Sequence, residues 1–110
     1  MKTHPRTLSP VAREAALLLG ANIRLARRQR RWTLQELAER VGVTAVTMRK
    51  VESGDPSVRL GIAFEAAALT GVPIFDEDRA RRQIEAGRIE DRLAVLPRLI
   101  RKPTEVDDDF

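Results

Sequence analysis

The sequence predicts an all-α fold of five helices. Three observations carry that prediction. Alternating β-branched runs are few, apolar residues recur at helical spacing almost throughout, and capping residues punctuate the chain where helices should begin and end.

Ser9-Pro10 is an N-cap followed by proline at the first helical position. Leu17, Leu18, Ile23 and Leu25 then mark an apolar side through roughly Arg30, and Gly20 weakens the middle enough that two shorter pieces are an option. Thr33 and Glu36 form a Thr-x-x-Glu capping box that opens a second helix over about Leu34–Val41. Its inward residues are Leu37, Ala38 and Val41, and Gly42 ends it. Thr44 caps a third helix over about Ala45–Ser53, with Met48 and Val51 inward.

Gly54-Asp55-Pro56-Ser57 is a turn, a fourth helix spans about Val58–Leu69, and Gly71-Val72-Pro73 closes it. Asp76-Glu77-Asp78 then places three acids at the start of a fifth helix, where the dipole favours them. Ile84, Ile89, Leu93 and Leu96 give that helix a narrow apolar stripe, and Pro97 stops it. The expected organisation is a flexible N-terminus (1–8), a first domain (9–75), an amphipathic helix (76–97) and an extended or disordered acidic tail (98–110).

Composition narrows the function classes. The 110 residues are 43% hydrophobic but include only four aromatics, so the core must be built from Leu, Ile, Val and Ala. With no cysteine and a single histidine, His4, neither a disulfide nor a thiolate or zinc site is expected. No cofactor is expected either. No segment approaches a membrane span or a signal peptide, which reads as a cytoplasmic protein. Catalysis is not expected: there is no glycine-rich phosphate loop and no convincing acid pair, and Glu36, Glu39 and Glu52 read as cap, surface and ion-pair residues.

Charge is distributed unevenly. Residues 1–75 hold 12 Lys/Arg against 6 Asp/Glu, while residues 76–110 hold 8 against 10. Five arginines and no acid lie in RLARRQRR, residues 24–31. A basic body with an acidic end points to two different partners.

Two short helices joined by three residues containing Gly42 have the form of a helix-turn-helix. Ala38 must be small where the second helix crosses, Gly42 must turn the chain, and Val43 must fill the space between them. The order WTLQELAERVGVTAVTMRKVESGDPSV resembles the XRE-type helix-turn-helix family, the Cro and phage-repressor-like group, over roughly residues 19–75. Within it, ESGDPSVRLG is similar to HipB-like antitoxins, as is the closing LPRLIRKPTEVDDDF.

The resemblance implies a phage-repressor-like DNA-binding domain whose third helix enters the major groove. The expected base-facing residues are Thr44, Ala45, Val46, Thr47, Arg49 and Lys50. In relatives, positions matching Ala45, Val46 and Lys50 often carry amides or arginines. Here Ala45 and Val46 offer apolar contact to a thymine methyl, and Arg49 or Lys50 donates to guanine.

Phosphate contacts are expected from Arg24, Arg28, Thr33, Gln35, Ser57 and Arg59. Many relatives open the second helix with a phosphate-gripping glutamine. This chain has Leu34 there and Gln35 one residue later, a rotation of about 100°. The load is therefore expected to move to Arg24 and Arg28.

A single motif with few base contacts implies a homodimer reading a palindromic operator in duplex DNA, its half-sites about 34 Å apart. The resemblance further implies a repressor that acts as the antitoxin of a type II toxin–antitoxin pair, autorepresses its operon, and binds a HipA-like kinase toxin. It would be nucleoid-associated in a bacterium. The stripe at Ile89, Leu93 and Leu96 is a place to pack on the first helix, to dimerise or to dock a partner. Asp107, Asp108, Asp109 and Phe110 either anchor in a basic groove on a partner or form a solubilising end. The alternatives are a stand-alone regulator without a toxin and an interaction adaptor that has lost DNA binding.

Overall fold

A computed structural model of the chain describes residues 7–97. The tail residues Asp107, Asp108, Asp109 and Phe110, the rest of the segment from residue 98 and most of the N-terminal 1–8 lie outside the described residues. Among the described residues there are five helices and no strand: α1 (Pro10–Gln29), α2 (Leu34–Val41), α3 (Ala45–Glu52), α4 (Leu60–Thr70) and α5 (Arg79–Val95). The chain divides into two units, Met1–Ile74 and Phe75–Phe110.

Local chemistry sets the helix ends. The Ser9 side chain accepts from the Ala12 N–H at α1, and Thr44 accepts from the Thr47 N–H at α3. At α2 the capping box is complete: the Glu36 N–H donates to Thr33 Oγ1 at 3.0 Å, and the Thr33 N–H donates to Glu36 Oε1 at 2.7 Å. Gly42 ends α2 with φ +91°, a left-handed conformation that costs a glycine nothing.

In the first unit α2 packs on α3, α1 on α3 and α4, and α2 on α4. Ile23, Leu37, Ala38, Met48, Val51, Ala66 and Ala67 form the buried core, with Val41 and Val43 packed against it. Ala38 is fully buried between the paired helices and Val43 fills the turn, as the helix-turn-helix spacing requires.

Three expectations are corrected here. First, α1 is one continuous helix: Gly20 does not break it but admits the backbone of α3. A Cβ at Gly20 would lie 2.5 Å from the Val51 carbonyl oxygen and 2.7 Å from that of Glu52. Second, the buried face of α1 is Gly20, Ile23 and Arg27, while Leu17, Leu18 and Leu25 face outward. Apolar identity alone mis-assigned that face, because the residue at its centre is a glycine and one edge is an arginine.

Third, α4 begins at Leu60, not near Val58, because Asp55 holds the chain in a turn. Its Oδ1 accepts from the Ser57 N–H at 2.8 Å and from the Ser57 hydroxyl at 2.7 Å. The three acids do stand at the start of α5, with Asp76 and Glu77 just before its N-cap. Asp78 is the N-cap, accepting from the Ala80 N–H, and Arg82 donates to the Asp76 and Glu77 carbonyls. Ile84, Ile89, Leu93 and Leu96 are each more than half exposed, and α5 buries no residue.

Candidate nucleic-acid interface

The outward side of α3 follows from which of its residues enter the core. Met48 and Val51 are buried, which leaves Val46, Arg49, Lys50 and the capping Ser53 exposed at spacings of three, one and three. Ala45 and Thr47 are half-buried. Thr44 spends its hydroxyl on the cap: its oxygen accepts from the Thr47 N–H and its proton goes to Thr47 Oγ1 at 3.1 Å. Of the six residues expected to face bases, Val46, Arg49 and Lys50 therefore present whole side chains, and the two threonines are bonded to one another.

An open depression of about 330 Å³ adjoins this face, lined by Arg24, Arg27, Arg28, Leu34, Arg49, Glu52 and Ser53. It brings two expected phosphate residues, Arg24 and Arg28 of α1, beside an expected base reader, Arg49 of α3. Leu34 lies among them, packed against the core. The Glu36 carboxylate accepts from the Thr33 N–H and partly offsets the positive pole of α2.

The remaining expected phosphate residues are placed elsewhere. Gln35 donates its Nε2 to Glu39 Oε2 at 3.1 Å, along the exposed side of α2. Thr33 caps α2, Ser57 is held by Asp55, and Arg59 is the exposed N-cap residue of α4. None of the four lines the depression.

The arginine run is split between two roles. Arg27 is buried and donates to Glu52 through Nε at 2.7 Å and Nη2 at 3.0 Å, and through Nη1 to the Trp32 carbonyl at 2.8 Å. Arg30 donates to the Thr70 carbonyl at 3.1 Å and lies over the Trp32 ring, whose centroid is also 4.1 Å from the Arg40 guanidinium carbon. Arg24 and Arg28 are exposed and face the depression. Sequence reasoning missed Ser53 on the α3 face and did not separate Arg27 from its neighbours. The spacing of Arg27 from Gly20 and Ile23, seven and four residues, carried that signal.

The Ser57 backbone N–H, and then the Ser57 hydroxyl, hold the Asp55 carboxyl below the usual carboxylate value, and Lys50 adds to the shift. The cation on α3 thus lies within the field of the following turn.

No helix among the described residues is long and apolar enough to cross a membrane. A family model described as a helix-turn-helix domain matches residues 18–81, more than half of the chain. No curated protein and no solved structure matches the chain.

Proposed function

The chain belongs to the helix-turn-helix domain family, a DNA-binding family, and from that premise we propose that it is a dimeric, sequence-specific repressor serving as the antitoxin of a toxin–antitoxin pair. The observation that carries the DNA-binding part is the uncovered face of α3, with Arg49 and Lys50 exposed and Arg24 and Arg28 beside Arg49 across one depression.

The division of labour follows from the chemistry of each group. Arg24 and Arg28 meet phosphates and fix the register of the domain on the duplex. Val46 packs on a thymine methyl, and Arg49 and Lys50 donate to guanine O6 and N7 in the next turn of the groove. Ala45 contributes only surface, and Gln35 contributes nothing to phosphate binding. Repression is steric: a bound dimer occupies the operator in front of its own operon. No catalytic step enters.

The antitoxin part draws support from the resemblance of residues 52–61 to HipB-like proteins, with a HipA-like kinase toxin as the second partner. The exposed stripe at Ile89, Leu93 and Leu96 supplies a docking edge for it. The acidic residues Asp107, Asp108 and Asp109 with Phe110 supply a charged anchor.

Fluorescence anisotropy on a duplex from the region upstream of its own operon, beside a scrambled duplex at two salt concentrations, tests the reading. A preference of ~10³ or more for the upstream duplex supports it. Equal, steeply salt-dependent binding with Kd on the order of 10⁻⁴–10⁻⁶ M reduces it to phosphate attraction alone. Co-purification of a kinase-like protein encoded beside it tests the antitoxin part, and absence of any such neighbour leaves a stand-alone regulator.

A further inference from the structure

We propose that the outward face of α1 is a self-association seam, and that a second copy of this chain docks on it antiparallel. Val11, Leu18 and Leu25 recur every seven residues along α1, and Ala15 and Asn22 fall between them in alternating steps of four and three. That is the a/d pattern of a helix-pairing seam. All five residues are exposed, with Val11 at 74%, Leu18 at 63% and Leu25 at 57%. The side of α1 that carries Gly20, Ile23 and Arg27 is committed to the core, so the seam is not a surplus part of the same apolar face.

The seam runs about 21 Å along the helix axis. Large exposed apolar strips of this kind mark interaction sites. Because α1 is pinned through its other face, pairing orders no new helix, and the usual penalty for folding a short coiled coil on association does not arise. Ala12, Ala15, Ala21 and Ala26 lie in or beside the strip and permit close approach.

Charge selects a second copy and sets its direction. Between residues 11 and 25 the seam positions themselves carry no charge, so copy meets copy without repulsion. Antiparallel pairing over the full helix places Ala15 against Leu25 of the second copy and Leu18 against Asn22 of the second copy. The flanking Glu14 then lies beside Arg28 of the second copy, twice by symmetry. Parallel pairing would instead bring both Arg24–Arg31 clusters to one end and leave each Glu14 without a cation. Asn22, and Gln29, which the same register sets against Val11 of the second copy, are the polar seam residues and keep the affinity modest. This pairing supplies the dimer of the proposed function, yet it is read without DNA, so its failure and that of operator binding are separate results.

Sedimentation equilibrium on the full chain decides it. The wild-type protein is expected to be a dimer at micromolar concentration, with Leu18→Glu weakening the association by about a hundredfold while far-UV circular dichroism is unchanged. Leu25→Glu should act alike, and Asn22→Leu should tighten the dimer. Glu14→Arg should weaken it and the double change with Arg28→Glu should restore it. A monomeric wild type overturns the proposal. So does a dimer that survives Leu18→Glu and Leu25→Glu but is lost in Leu93→Glu. An association indifferent to Glu14→Arg overturns the antiparallel arrangement.

Discussion

Arg27 and Glu52 form a two-pronged ion pair that ties α1 to the last residue of α3, with N–O distances of 2.7 and 3.0 Å and side chains 10% and 6% exposed. The third Arg27 donor goes to the Trp32 carbonyl, so the guanidinium braces α1, α3 and the α1–α2 turn together. Removing one partner leaves the other charge buried without its counter-ion. Arg27→Leu should therefore cost about 3–5 kcal/mol in urea denaturation, whereas Arg27→Leu with Glu52→Leu should recover much of the loss. A single-variant cost under about 1 kcal/mol would show that the pair is not holding the helices.

Two helical glycines should respond in opposite directions. Gly87→Ala in α5 puts its methyl in open space and should stabilise that helix by about 0.5–1 kcal/mol, visible as increased helicity. Gly20→Ala gains the same helix propensity but drives a Cβ into the Val51 and Glu52 carbonyls, so it should destabilise the first unit by about 1–3 kcal/mol net. Thermal melts of both variants check the pair of signs.

In the DNA complex, the arginines of the depression should separate by role. Arg24→Ala should weaken specific and scrambled duplexes about equally and lower the salt slope by roughly one, whereas Arg28→Ala, which also removes the partner of Glu14 across the dimer seam, should cost more on the specific duplex. Arg49→Ala should cost about 1–3 kcal/mol on the specific duplex and much less on the scrambled one. Gln35→Ala, whose side chain is turned to Glu39, should leave the affinity within about twofold. A large Gln35 effect would place the phosphate grip on α2 after all.

The turn before α4 has a pH signature. Asp55 has a lowered folded pKa, so its contribution to stability is present above the unfolded carboxylate value and is lost as pH falls through the lower folded value. The stability difference between wild type and Asp55→Asn should stay level above about pH 5 and close in more acidic solution. An NMR titration of the Asp55 carboxyl, with a midpoint below that of a free aspartate, is the direct check. A midpoint at or above the free value would mean that the Ser57 contacts are absent in solution.

Much of the fold was legible because its signals are local. The Thr33/Glu36 box, the Thr44 cap and the Gly42 turn each close hydrogen bonds within a few residues, and α2 begins and ends where those residues predict. The start of α4 was less legible because Val58 packs on the core without being helical. The candidate site was legible as a set of residue types on α3, since Met48 and Val51 mark its inner side. Which of them keep a free side chain was not, because the Thr44–Thr47 and Gln35–Glu39 bonds depend on rotamers.

By itself the sequence determined five helices, the helix-turn-helix order and a basic first part, since capping, glycine turns and apolar spacing act over three or four residues. Only the tertiary structure decided which side of α1 is inside and which arginines of residues 24–31 are available to a ligand. Glu52 lies 25 residues from Arg27 and the Thr70 carbonyl 40 from Arg30. Those distant partners draw two of the five arginines into the scaffold, while Arg24 and Arg28, one helical turn apart and lining the depression, stay exposed beside α3. Five chemically identical side chains acquire different roles because burial and pairing are set by what the chain brings against them.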